Sequence, residues 1–400
     1  MNRYSGSSQS SRSRHSRRIL MATVGGAAFA VAAAIIFLFA TSRSIAQQQR
    51  APIVSPEVGP DNRVTFRIFG PDLPDVAVNL DDAVAEPIPM KKDEHGLWSV
   101  TTDPLEPDYY SYTFSVHGVP IPDPANTNVT PNLLFMEDSF HVPGPASLPW
   151  EAGDNPHGVV HRHFYHSQII GDDRDFYVYT PPDYDAHAKK SYPILFLLHG
   201  YSDGANGWTA VGRANFVLDN LIKSGKAKPM VIVMPLGYGN SEILKFRFRA
   251  FEHPEVVKDS FDKYRDALFN EVIPMVESSY HVSKERQDHA IAGLSMGGAE
   301  TLYVGLNALD RFAYFGAFSM GGLAEDYAKD FPSLSASDAA KIKVLWISCG
   351  KDDHLLPTDE KVRDFIQSKG IKVEWVETPG HHQWQVWRRN LINFAPQLFQ

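Results

Sequence analysis

The chain has 400 residues, more than one average domain, and at 43% hydrophobic and 21% charged its composition is that of an ordinary globular protein. Its formal charge is −9, but the first 46 residues hold six arginines and no acid, which leaves −15 on the rest. That sign argues against a nucleic-acid partner, and the single cysteine, Cys349, excludes an internal disulfide.

Residues 1–18 are rich in Ser and Arg, and residues 19–40 carry no charge. As a helix the uncharged stretch would measure about 33 Å. Residues 1–46 therefore read as a signal peptide, with a small-x-small cleavage site at Ser44-Ile45-Ala46, or as an uncleaved signal anchor. Ser16-Arg17-Arg18-Ile19-Leu20-Met21 is in part similar to a twin-arginine export signal. Either way the globular part is expected outside the cytoplasm, periplasmic or secreted, touching a membrane only through this segment if it is retained.

Residues 51–142 read as all-β. Arg63-Val64-Thr65-Phe66-Arg67-Ile68-Phe69 alternates polar and apolar, as a half-buried strand does. Further strands are expected over 76–80, 96–101 and 109–116, separated by Pro, Asp and Gly clusters, the pattern of a small β-sandwich. Residues 143–158, rich in Pro, Gly and His, read as a linker. From 159 to 400 the pattern changes. Strands at 176–179, 194–198, 231–234 and 344–347 include uninterrupted apolar runs, which parallel sheets bury on both faces. Helical segments at 214–224, 260–280, 299–309, 358–368 and 384–394 alternate with them, so the fold class is α/β with helices on both faces of the sheet.

The run Ala290 to Ala292 leads into Gly293-Leu294-Ser295-Met296-Gly297 and then into a helical pattern. This is the strand–turn–helix context of a G-x-S-x-G nucleophile elbow, whose tight turn needs small residues beside the serine. Ser319-Met320-Gly321-Gly322 copies part of the string, but Ala317 stands where the first glycine should be, so Ser295 is the expected nucleophile. A serine needs a base, and the base needs an orienting acid. Asp352 and Asp353 follow the strand that ends near Gly350, on the functional edge of such a sheet, and His381 and His382 lie in a loop entering a helix. These residues alone leave both choices open. Two backbone N–H donors for an oxyanion are expected at Met296, after the nucleophile, and at Tyr201, in the loop after the strand Ile194-Leu195-Phe196-Leu197-Leu198.

These segments resemble the esterase D-type family of α/β-hydrolases, which includes feruloyl and acetylxylan esterases, enterochelin esterases and mycolyl-transferring proteins. The resemblance rests on Val178-Tyr179-Thr180-Pro181-Pro182, Leu198-His199-Gly200, Gly212-Arg213-Ala214-Asn215, Ala292 to Gly298, Gly350-x-x-Asp353 and His382-Gln383-Trp384-x-x-Trp387. It implies His382 as the base and Asp353 as the acid. Gln383 and His381 depart from the residues usual at their positions. Residues 51–142 resemble the immunoglobulin-like domain that precedes many such esterases, related to glycogen-binding modules. Trp98 and Tyr110 could stack on sugars there, or belong to the core.

The resemblance implies a serine carboxylic-ester hydrolase acting on acyl esters of carbohydrate, of the feruloyl or acetylxylan type, with no cofactor and no metal. Acyl transfer to a sugar and a non-catalytic glycan-binding protein are the alternatives. His157, His161, His163 and His166 cluster on one segment, but no cysteine or spaced acid completes a metal set. Cys349 reads as a buried small hydrophobe, and the segment 236–251, with Tyr238, Phe246, Phe248 and Phe251, as a pocket wall or a surface excursion.

Overall fold

The computed structural model describes residues 52–80, 83–324 and 326–400. The expected leader at 1–46, with its apolar stretch 19–40, lies outside the described residues. Among those described, no helix is long and apolar enough to cross a membrane.

The first ten strands are β1 (Glu57–Val58), β2 (Val64–Phe69), β3 (Ala77–Leu80), β4 (Val84–Pro89), β5 (Lys91–Lys92), β6 (Leu97–Thr101), β7 (Asp108–Val116), β8 (Val119–Ile121), β9 (Val129–Thr130) and β10 (Glu137–Val142). They form two sheets, ordered β1-β2-β6-β5 and β4-β3-β7-β10-β9, with β8 paired to β7. The period-2 pattern sends Val64, Phe66 and Ile68 of one sheet against Val78, Tyr112, Phe114 and Phe140 of the other. Phe66 meets Tyr112 with ring centroids 4.7 Å apart. Trp98 and Tyr110 belong to this core, 7% and 6% exposed, so of the two readings open for them the structure shows the core one. Their polar ends bond the chain itself, Trp98 Nε1 to Gly70 O at 2.9 Å and Tyr110 OH to Glu106 O at 2.8 Å.

The second part holds β11 (Val159–His166), β12 (Asp173–Thr180), β13 (Ile194–Leu198), β14 (Val231–Pro235), β15 (His289–Leu294), β16 (Tyr314–Phe318), β17 (Val344–Gly350) and β18 (Glu374–Thr378). They make one sheet ordered β11-β12-β14-β13-β15-β16-β17-β18. The pairings from β14 to β18 are parallel, and β12 and β11 close one side antiparallel. Along β13, Ile194, Phe196 and Leu198 enter one core while Leu195 and Leu197 enter the other, which is why the run has no polar residue.

The helix expected over 260–280 starts earlier, at Pro254, where a fixed φ favours a first turn. It runs as Pro254–Ala267, a π-turn at Leu268–Val272 and Ile273–Ser279. Pro274 lacks the N–H that a regular ladder would use, and the wider turn stands directly before it.

Residues 54–400 form one compact unit. The expected linker 143–158 has no strand or helix but is not a free tether. Trp150 is buried, and Asn220 Nδ2 donates to Pro149 O at 2.8 Å and Glu151 O at 2.9 Å. The two sheet systems also meet through charge. Arg388, on the helix Trp384–Phe394, is fully buried and pairs with buried Asp108 at the start of β7. Arg389 reaches the other oxygen of Asp108 at 3.0 Å, and Gln385 Nε2 donates to Tyr109 O at 2.8 Å.

Candidate active site

Ser295 stands between β15 and the helix Met296–Leu306 with φ 50° and ψ −118°, a conformation that a non-glycine residue adopts only when its surroundings impose it. The packing shows why glycines flank it. A Cβ on Gly297 would lie 2.5 Å from His199 O and 2.7 Å from Leu198 O, and one on Gly293 would lie 2.4 Å from Gly297 O. The elbow is also held by its main chain. Ser295 N–H donates to Phe318 O at 2.8 Å, and Ser295 O accepts from Gly298, Ala299 and Gly321.

The structure brings His382 and Asp353 to this serine. His382 Nε2 lies 3.0 Å from Ser295 Oγ, and His382 Nδ1 lies 2.9 Å from Asp353 Oδ2. The Asp353 side chain is fully buried. Burial works against its charge, but hydrogen bonds from His382, the Leu355 N–H and Ser319 outweigh it and hold the carboxyl below its usual range. An ionised carboxylate only accepts, so Nδ1 carries the proton and Nε2 presents a lone pair to the serine hydroxyl. Trp387, one helical turn beyond His382, packs edge-on against the imidazole with centroids 4.9 Å apart. The neighbours Asp352 and His381 fall elsewhere: His381 is exposed, its Nδ1 3.2 Å from Asp352 O.

Ser319 is completely buried and has its own left-handed φ of 47°. Its string packs on the elbow, with Gly321 N–H donating to Ser295 O at 3.1 Å, and it lines the cavity through Gly321 and Gly322.

Met296 heads its helix, where main-chain N–H groups have no acceptor within the helix. The loop after β13 carries Tyr201. Gly200 O accepts from His199 Nδ1 at 2.7 Å, Asp203 N–H at 3.2 Å and Tyr238 OH at 3.3 Å. In a trans peptide the next N–H points the opposite way, so Tyr201 N–H turns from this cluster. His199 is fixed by accepting the Gly237 N–H at Nε2, 2.8 Å away, and burial lowers its pKa to about 4, so it is neutral. A Cβ on Gly200 would lie 3.4 Å from Ser295 Cβ, which places the loop against the serine.

A cavity of about 650 Å³ opens over Ser295 and His382. Both walls are mixed, with Ser202, Asp203 and Gln383 on one side and the ring of Phe135 on the other, but the balance differs. Phe251, Leu294, Leu355 and Trp384 come from the α/β part, whereas Asn79, Ser111, Thr113, Thr130 and Glu137 come from the two-sheet region. Within the segment 236–251, Phe251 reaches the cavity and Tyr238 lies buried beneath Gly200; the side chain of Phe248 lies outside the described residues. The polar wall was not foreseen from the sequence. Small polar residues alternating with aromatics in β7 look like an ordinary solvated strand face.

Asp353, His354 and His382 bring three possible metal-ligand atoms within 4.8 Å of one another. Two of these donors already face each other in the 2.9 Å hydrogen bond, which a cation would have to break. Of the histidines at 157–166, His157 pairs with Asp219 and His166 with Asp173, while His161 and His163 share Tyr280, His163 through its hydroxyl and His161 against its ring. Cys349 is buried, as expected.

Comparison with known proteins agrees with this architecture. The chain is 27% identical over 351 residues to an endo-1,4-beta-xylanase/feruloyl esterase from Xylanibacter ruminicola, covering 86% of this chain and 46% of that protein. It thus spans about half the length of that relative. An acetyl esterase from Caldicellulosiruptor saccharolyticus is 23% identical over 51% of this chain and 82% of its own. Among solved structures, the enterobactin esterase from Shigella flexneri superposes with a TM-score of 0.63 at 18% identity, covering 84% of this chain and 93% of that one. A CE1 ferulic acid esterase from Anaeromyces mucronatus, in complex with ferulic acid, gives a TM-score of 0.55 at 23% identity over 64% and 96%. The family model described as "Putative esterase" matches residues 167–398, more than half of the chain and the whole span from β12 past His382, so the chain belongs to the esterase family.

Proposed function

We propose that this chain hydrolyses carboxylic esters of carbohydrate outside the cytoplasm, with Ser295 as nucleophile, His382 as base and Asp353 as orienting acid. The observation that carries the reading is the relay at 3.0 and 2.9 Å on the floor of a 650 Å³ cavity. Ser295 Oγ attacks the ester carbonyl carbon while its proton passes to His382 Nε2. The main-chain N–H groups of Met296 and Tyr201 receive the developing oxyanion. As the tetrahedral species collapses, the C–O bond to the alcohol breaks and Nε2 returns the proton to the leaving alkoxide. Water then attacks the acyl-enzyme by the same route and frees the acid.

The two-sided cavity supports a carbohydrate ester. An aromatic or short acyl group suits the apolar wall, and a polyhydroxylated alcohol suits the polar one. The relatives, a xylanase/feruloyl esterase and an acetyl esterase, point the same way. The uncharged stretch at 19–40 supports export.

Hydrolysis of p-nitrophenyl acetate, methyl ferulate and acetylated xylan tests the reading. Ser295→Ala is expected to lose at least about 1,000-fold in kcat on whichever ester the wild type cleaves. Equal rates for variant and wild type would sink the assignment. Products formed with a free disaccharide present separate hydrolysis, which gives the free acid, from transfer, which gives a new sugar ester.

A further inference from the structure

The loop expected to supply the Tyr201 donor is not held by the α/β part alone. Its inner side is fixed by His199 and Tyr238, which hold the Gly200 carbonyl. Its outer side meets the segment between β9 and β10. Leu133 N–H donates to Ser202 O at 2.7 Å. Asn132 Nδ2 donates to Ser202 Oγ at 2.9 Å and reaches Asp203 Oδ1 at 3.4 Å. The orientation of this amide is forced, because its oxygen accepts the N–H groups of Leu134 at 3.0 Å and Phe135 at 3.4 Å.

Ser202 needs such support. Its φ is +74°, a left-handed conformation that a side chain disfavours by about 1 kcal/mol or more, and it is nearly buried. Leu133 and Met136 are more than half exposed and add little apolar packing. Polar bonds tie the two loops directly. Arg247 Nη2 also donates to Leu134 O at 3.2 Å, while the pairings Asp108–Arg388 and Tyr109–Gln385 lie elsewhere and do not depend on Asn132.

We propose that Asn132 is a positioning residue for the ester chemistry: acting through Ser202 and Asp203, it keeps the Tyr201 N–H aimed at the oxyanion. The inference rests on the esterase reading above. It makes the two-sheet region part of the catalytic apparatus as well as a wall of the cavity. A displaced donor weakens transition-state binding and leaves ground-state binding in place, so the effect belongs in kcat.

Two variants of the full chain test it. Asn132→Asp keeps an oxygen for Leu134 and Phe135 but removes the donor toward Ser202 and Asp203. Asn132→Ala removes both. With p-nitrophenyl acetate, kcat is expected to fall about tenfold or more in both, with KM within about twofold of wild type and the thermal midpoint nearly unchanged. Affinity for phenylboronic acid, which forms a tetrahedral adduct on an active serine, should fall by the same factor as kcat/KM. Affinity for acetate, the product, should not. Ser202→Ala combined with Asn132→Ala should cost no more than the larger single effect. A normal kcat in both Asn132 variants, a loss confined to KM, or a normal Asn132→Asp beside an impaired Asn132→Ala overturns the proposal. An inert wild type overturns instead the functional reading beneath it.

Discussion

Two buried titratable side chains beside the nucleophile pull stability in opposite directions with pH. His199 has its folded pKa lowered to about 4, so the protein loses stability as pH falls from 6.5 through 4. Asp203 has its folded pKa raised to about 8 by burial, against a usual 3.8. The folded chain therefore holds a proton that the unfolded chain releases, and the stability from this group is full below pH 4 and lost as pH rises through 8. Asp203→Asn removes that slope. Urea midpoints at pH 5, 7 and 9 should show the variant gaining on wild type as pH rises; parallel curves would contradict the assignment. At this scale Ser295 was legible because its motif is local. His382 and Asp353 needed the spacing of a family pattern, since each has a chemically identical neighbour. Asn132 was illegible: it works on residues 70 and 71 positions away, and nothing in its surroundings marks it.

The elbow shows what a single element demands of its sequence. The helix Met296–Leu306 is buried along all 11 residues and runs so close to β13 that residue 297 has room for no Cβ. Gly297→Ala would push the methyl into main-chain oxygens of residues 198 and 199, which cannot swing aside as a side chain could. The expected cost is about 1–3 kcal/mol of stability. The serine is displaced with the helix, and p-nitrophenyl acetate turnover should drop at least about tenfold. Thermal unfolding and steady-state rates check the two parts separately. Buried strands were the readiest elements to read, because β13 to β17 are apolar on both faces. The π-turn before Pro274 was not legible, since hydrophobic spacing alone does not register one wide turn.

Across the whole molecule, the division into an all-β region and an α/β region was visible in the change of periodicity near residue 159. Their fusion into one unit was not. It includes Asp108 meeting Arg388 across 280 positions, and charge pairs of such separation leave no local pattern. Asp108→Ala would strand a fully buried guanidinium. Its expected cost is about 3–5 kcal/mol, read as a lower urea midpoint, because Arg389 loses the same carboxylate and remains as a second cation beside the first. An unchanged midpoint would mean that the pair carries no net weight in the fold. Because the arginine sits on the helix that begins two residues after His382, the same variant should also lower esterase turnover.

That shared ion pair bears on how the gene could be cut or recombined. Starting translation at Val159 would supply every atom of the proposed proton relay and still deliver an enzyme with a bare cationic socket in its flank and one side of its reaction vessel missing. Grafting a foreign leading module would fail in the same way unless it brought a carboxylate to the same spot. For recombination, the seam between sheets is therefore a poor place to cut, and the 347-residue body from Val54 to Gln400 is the piece to move whole.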